Sequence, residues 1–347
     1  MDPSGFSYKG DIQMDIIKLY DDKNGYINAE AIIKAPFDFV LITGARGIGK
    51  TYSILKYMYK NRLPFVYVRR TEKEAQYQNK AITSSHTKIL EDLKLNYFFA
   101  PVADKTGGVY VDDELICINI ALSTFAGVRG INLDQFNYIV FDEFIAEPHV
   151  KPIKYEGMAF LNLYETINRN RELEHRNALK AICLSNSLNM RNDLFMELDL
   201  ISDAERMIEE DKEQFERDNL LLLICQHSPI SIKKAGTALY RQASDEYVRM
   251  AIKNEFIRDD RSYCRRRPLN EYVCQWAVGD LYVYKHKSNH LFYVTRTRGE
   301  TKQKYKANYT DLERMKRAKW RFYGQYLDGN VYFDSYKSVA LFEKYFA

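Results

Sequence analysis

Two rhythms of apolar and polar positions run along this chain of 347 residues. From residue 37 to residue 200, short apolar runs recur at Phe37–Thr43, Pro64–Arg69, Val109–Ile120, Asn137–Phe141 and Leu179–Ser185. Between several of them lie stretches with helical spacing, notably Lys50–Lys60 and Tyr155–Arg169. Short apolar runs fit buried strands, and apolar residues three and four apart fit one face of a helix. Their alternation predicts an α/β fold, a largely parallel sheet with helices on both faces. The segment GGVYVDDELICINI breaks the pattern and predicts a hairpin turning at Asp112-Asp113.

The second rhythm starts after residue 200. ISDAERMIEEDKEQFERDNL, residues 201–220, is dense in acids and reads as one linker helix. WAVGDLYVYKHKSNHLFYVTR then alternates like two Tyr-rich strands around a polar turn. TDLERMKRAKWRFYGQYL reads as a helix and NVYFDS as a short strand. The expected organisation is an α/β domain at 1–200, a helical linker at 201–230 and a small α+β domain at 231–347. A chain of this length is expected to divide into two or three such units.

Composition sharpens this in three ways. An apolar content of 46% supports real cores. No stretch approaches the roughly 20 apolar residues that span a bilayer, so no membrane association is expected, and MDPSGFSYKGDIQMD lacks the pattern of a secretory signal. Cys117, Cys183, Cys225, Cys264 and Cys274 include no close pair, the usage of a reducing compartment such as the cytosol. Residues 231–347 hold 24 Lys and Arg against 13 Asp and Glu, a net of +11, while the remainder carries −7. A basic last third points to a polyanionic partner.

The chemistry begins at Gly44-Ala45-Arg46-Gly47-Ile48-Gly49-Lys50-Thr51, which fits G-x-x-x-x-G-K-[ST] at every fixed position. Such a loop turns its backbone N–H groups toward phosphate oxygens, with a helix N-terminus behind it. Lys50 is expected at the β- and γ-phosphates and the Thr51 hydroxyl at Mg²⁺. YIVFDEF then places Asp142 and Glu143 at the carboxyl end of a strand, where α/β sheets bind ligands. Asp142 would hold Mg²⁺ and Glu143 would act on the attacking water. A guanine-reading N-K-x-D is missing, since Asn79-Lys80 continues Ala-Ile, so ATP is the expected nucleotide. Ser185 and Asn186 end the next strand, either as a γ-phosphate sensor or as a plain polar turn. Arg169, Arg171 and Arg176 close a helix, either as a basic end favoured by the macrodipole or as an arginine delivered to a γ-phosphate.

Taken together, GARGIGKTY, FVYVRR, IVFDEFI, FLNLYETINRNRE and ICLSNS, in this order and spacing, resemble the genome-packaging ATPases of phi29-like bacteriophages, small relatives of the large terminases. The resemblance is good over residues 38–190 and loose elsewhere. It implies an ASCE-type P-loop ATPase acting as a homomeric ring, usually a pentamer. That ring would sit at the portal vertex of an empty prohead in the host cytoplasm and drive double-stranded DNA inward. By position, Lys50 and Thr51 are the Walker-A pair, Asp142 and Glu143 the Walker-B pair, and Arg169 the finger reaching a neighbour. Arg46 matches an extra P-loop arginine, and Arg69 and Arg70 match the family's VRR without an assigned role. The last third resembles an RNase H-like nuclease domain that no longer cuts. Asp280, Asp328 and Asp334 are its scattered candidate acids. A structural packaging RNA is a further partner in phi29 itself.

A motor that grips any sequence needs phosphate contacts rather than base readout. Lys105, beside Gly107-Gly108, and Arg129 in AGVRGIN are the candidates for that grip. The rival expectations are a helicase-type motor on the same core and a vertex protein that holds ATP without cycling.

Overall fold

The computed structural model describes residues 16–146, 150, 153–186, 190–234, 237–242 and 263–346. The segment weighed above as a secretory signal, residues 1–15, lies outside them. Nine strands form the large sheet: β1 Phe39–Gly44, β2 Phe65–Arg69, β3 Tyr97–Ala103, β4 Thr106–Val111, β5 Glu114–Ala121, β6 Tyr138–Asp142, β7 Lys180–Ser185, β8 Gln214–Arg217 and β9 Leu220–Cys225. Their order is β3-β4-β5-β2-β6-β7-β1-β9-β8. The six from β5 to β9 in that order run parallel. One strand, β7, stands between the P-loop strand β1 and the acid-bearing strand β6, the ASCE arrangement.

Parallel strands are covered on both faces, so they read as unbroken apolar runs. Alternate residues enter opposite cores. Leu41, Val66, Val68, Ile139, Phe141 and Cys183 face one core with helices α5 Glu156–Asn168, α6 Asp193–Glu197 and α7 Ile201–Glu209. Val40, Ile42, Phe65, Tyr67, Val140 and Ile182 face the other. That second face is covered by α1 Ala29–Lys34, α2 Lys50–Lys60 and α4 Ser85–Asp92, while α3 Glu72–Gln78 packs near β5. Two expected helices are thus found within one residue of their bounds.

Both edges are antiparallel. β4 and β5 form the expected hairpin, with Asp112 at φ 50° and Asp113 at φ 67°. Two positive φ values are what a two-residue turn of the primed kind requires. β3 extends the hairpin at the sheet margin, turning through Asp104-Lys105. It carries Pro101, which edge strands tolerate.

The expected 201–220 helix is corrected. α7 stops at Glu209, and β8 and β9 follow as a hairpin through Asp218, at φ 50°. Acid density reads as helix, but tertiary pairing decides: β9 is buried throughout and lies parallel to β1 from Phe39↔Leu220 to Gly44↔Cys225. Residues 214–225, expected in the linker, are part of the large sheet.

Next come α8 Pro229–Lys234 and α9 Ala238–Gln242. A second sheet then holds β10 Tyr272–Val278, β11 Leu281–His286, β12 Phe292–Thr295, β13 Lys304–Tyr305 and β14 Val331–Phe333, in the order β13-β10-β11-β12-β14. With α10 Tyr309–Leu327 and α11 Tyr336–Phe346 it makes the expected small α+β unit. Its core gathers Trp276, Phe322, Phe333 and Phe342. Tyr336 and Ala340 of α11 also enter the large-sheet core. Arg191–Glu343 at 2.9 Å and Lys344–Glu197 at 3.0 Å fasten that contact.

Candidate active site

The cradle lies between β1 and α2. Gly47 at φ 73° and Gly49 at φ 83° adopt the left-handed conformation that side chains resist. No side chain caps α2, so its first N–H groups point toward the loop mouth. Lys50 opens that helix and is buried at 5% exposure. Its ammonium donates to the carbonyls of Gly44 and Ala45, both at 2.8 Å. Burial pushes its pKa down to about 8.

At the tip of β6, Asp142 is also buried. Thr51 Oγ1 donates to Asp142 Oδ1 at 3.0 Å, and Tyr67 OH to Oδ2 at 2.6 Å. Arg69 Nη1 reaches the same Oδ2 at 3.2 Å, while its Nη2 holds Glu143 Oε2 at 2.6 Å. Burial opposes the Arg69 charge, yet Tyr67, Asp142 and Glu143 raise its pKa above the ordinary arginine value. Glu143 sits at φ 59°, a strained conformation for a non-glycine residue. A hydroxyl and a carboxylate meeting at 3.0 Å, with no thiol between them, are the hard oxygen donors that Mg²⁺ takes.

Ser185 ends β7 in register with Thr43 of β1, one position beyond the Leu184↔Asp142 pair. It is buried, and Asn186 follows, half-buried, between the two motif strands. Arg46 and Gly47 are exposed at the tip of the cradle, and Ala45 and Ile48 are buried beneath it.

The three arginines after α5 separate. Arg171 is 1% exposed. Its guanidinium donates to Asn137 Oδ1 at 3.1 Å, to the Asp134 carbonyl at 3.0 Å and to the Phe136 carbonyl at 2.8 Å. Arg176 pairs with Glu174 and Asp134. Arg169 is exposed at φ 50°, and its guanidinium has no hydrogen-bond or ion-pair partner among the described residues. α5 starts beside the strand tips, where Glu156 clasps Arg70 in a buried bidentate pair. It ends beside Asn137 and Leu179, where β6 and β7 begin. Thirteen residues at about 1.5 Å each put Arg169 roughly 20 Å from the acid pair, at the opposite end of the sheet.

A family model described as Podovirus DNA encapsidation protein (Gp16) matches residues 21–326. The chain belongs to that family. The DNA packaging protein of Bacillus phage phi29 is 27% identical over 252 residues, 71% of this chain and 70% of that protein. The DNA packaging protein of Bacillus phage B103 is 29% identical over 236 residues, covering 66% and 67%. Among solved structures, the Phi-28 gp11 DNA packaging motor matches with a TM-score of 0.65 at 19% identity, over 93% of this chain and 98% of its own. The bacteriophage Phi-29 viral genome packaging motor assembly gives 0.64 at 21%, over 92% and 99%. At that coverage the shared fold includes both sheets.

In this Gp16-family chain the structure also brings in residues that motif spacing missed. Tyr67 and Arg69 meet the acid pair because β2 lies beside β6, which no spacing along the chain reveals. Lys234 of α8 donates to the Arg46 carbonyl at 2.8 Å, from 188 residues away. Lys105 lies at the β3–β4 turn, at the same end of the sheet as the cradle, half-exposed and 3.2 Å from Glu72. Arg129 belongs to the 3₁₀ segment Leu122–Gly130 at that end, and its side chain is outside the described residues. In the small sheet, Asp280 and Asp334 lie at one end, separated by β11 and β12, and Asp328 closes α10 at the other. Among the described residues, no group of three His, Cys, Asp or Glu could hold a metal. The same unit has a cavity of about 460 Å³ lined by Trp276, Lys285, His290, Lys319 and Arg321 among others, with no carboxylate.

Proposed function

We propose that this chain hydrolyses ATP and uses the cycle to move double-stranded DNA into a prohead, as a ring of identical copies in which Arg169 of one copy completes the next copy's site. The supporting observation is the division of labour between the two ends of the large sheet. Cradle, hydroxyl and paired acids converge at one end; an exposed arginine with no partner among the described residues stands at the other. Arg169 is too far away to serve its own cradle, so it acts only across a head-to-tail contact, which closes into a ring. Similarity to DNA packaging proteins supports duplex DNA as the substrate, gripped through its phosphates by Lys105 and Arg129 in the pore.

Lys50 would leave the Gly44 and Ala45 carbonyls for the β- and γ-phosphates. Glu143 would take a proton from the attacking water and direct its lone pair at the γ-phosphorus. Mg²⁺, held by Thr51 and Asp142, would neutralise charge on the phosphates. Arg69 holds Glu143 at 2.6 Å, so Glu143 would act once that contact opens. Ser185 and Asn186, between the two motif strands, would register loss of the γ-phosphate. The basic small unit, with its carboxylate-free cavity, would dock on the prohead or its nucleic acid. Phosphate release by Glu143→Gln tests the reading: turnover should vanish while ATP binding persists. Undiminished turnover removes the hydrolase role of this residue.

A further inference from the structure

Three elements close on the cradle from outside the motif. A Cβ added at Gly47 would lie 1.8 Å from Lys234 Nζ, and one at Gly49 would lie 2.6 Å from the Tyr26 ring. Cys225 crowds Gly44 in the same way, at 2.8 Å. Cys225 and Tyr26 present a thiol and a ring; Lys234 presents a charge. Its ammonium rests on the Arg46 carbonyl at the tip of the loop, at 2.8 Å. Lys234 is thus the third cation at this loop, with Lys50 and Arg46. Asp142 is the nearby carboxylate that opposes them, and Thr51, Tyr67 and Arg69 already occupy its oxygens. Lys50 and Lys234 both rest on loop carbonyls, contacts that a phosphate oxygen can replace.

We propose that Lys234 is a second phosphate lysine: on ATP binding its ammonium transfers from the Arg46 carbonyl to the terminal phosphates. This rests on the reading of the cradle as an ATP site and adds a ligand from beyond the last strand of the large sheet. The transfer also makes α8 responsive to the nucleotide, because Lys234 is its last residue. The seat of α8 favours such movement. Ser228 and Ser231 bury hydroxyls that have no hydrogen-bond partner among the described residues, so this packing is not fully satisfied.

The test is competition of ATP and AMP against a fluorescent ATP analogue on full-length wild type, Lys234→Ala and Lys234→Arg. The expected result is about a tenfold loss of ATP affinity in Lys234→Ala, the size of one charge-assisted hydrogen bond. AMP affinity should stay within about twofold, since AMP lacks the terminal phosphates, and Lys234→Arg should recover most of the ATP affinity. Unchanged or tighter ATP binding by Lys234→Ala overturns the proposal, the tighter case marking Lys234 as a plug. Wild type that binds no nucleotide overturns the ATP reading, and this inference with it. A second measurement covers a variant that fails to fold: acetylation rates on the wild-type chain. ATP, unlike AMP, should protect Lys234 and spare exposed Lys233. Equal rates at Lys234 with and without ATP would count against the proposal.

Discussion

The two sheets handle their acids differently. In the large sheet, parallel strands deliver every strand tip to one edge, so Asp142, Glu143, Ser185 and the cradle meet although they lie far apart in sequence. In the small sheet the three central strands β10, β11 and β12 run antiparallel, Asp280 and Asp334 are held apart by β11 and β12, and Asp328 closes a helix at the other end. Topology alone thus concentrates chemistry in one unit and leaves the other with surface charge. The contrast supports the proposal that the large sheet holds the ATP site and the small unit docks.

The sharpest way to break the comparison is to remove what the large sheet gathers. Arg169→Ala should lower steady-state phosphate release by about 10³ to 10⁵ with ATP binding retained. Arg171→Ala, two residues away, should do something else. It removes the bonds to Asn137, Asp134 and the buried Phe136 carbonyl and empties the space of a buried side chain, and a loss of about 3 kcal/mol should appear as a lower melting temperature. If the two variants behaved alike, the separation drawn between them would fail.

A smaller effect follows from Lys50. Burial, with Arg46 and Lys234 adding to it, brings its pKa from 10.5 to about 8, whereas a polyphosphate favours the charged form. ATP affinity should therefore be flat below about pH 8 and fall above it by up to tenfold per unit, with proton uptake measurable by calorimetry. Stability has the opposite sign. The unfolded chain keeps the proton up to about 10.5, so the nucleotide-free protein should gain stability between pH 8 and 10.5 relative to Lys50→Met. The smallest effect belongs to the other sheet. Asp280→Asn with Asp334→Asn should leave ATP turnover within about twofold and plasmid uncut, as wild type leaves it; lost turnover would give the small sheet a share of the chemistry.

What the sequence made legible was local. The cradle is eight consecutive residues, and the acid pair ends a single apolar run, so both could be read without the fold. Arg171 and Arg169 look equivalent in NRNRE; only packing against Asn137 and Phe136 buries one and leaves the other out. The β8–β9 hairpin was hidden by its acids, because pairing with β1 outweighs local propensity. Arg69 was legible only as part of VRR, without its place at the acids, and Lys234 not at all: strand adjacency and chain return carry them to the site.

The most direct test of the central claim mixes two dead subunits. Arg169→Ala retains a whole cradle, and Lys50→Ala retains a whole finger. Neither alone should release phosphate, and their mixture with duplex DNA and Mg²⁺ should recover hydrolysis in proportion to mixed interfaces. No recovery at any ratio, with both variants folded and associating, would contradict a site shared between neighbouring copies.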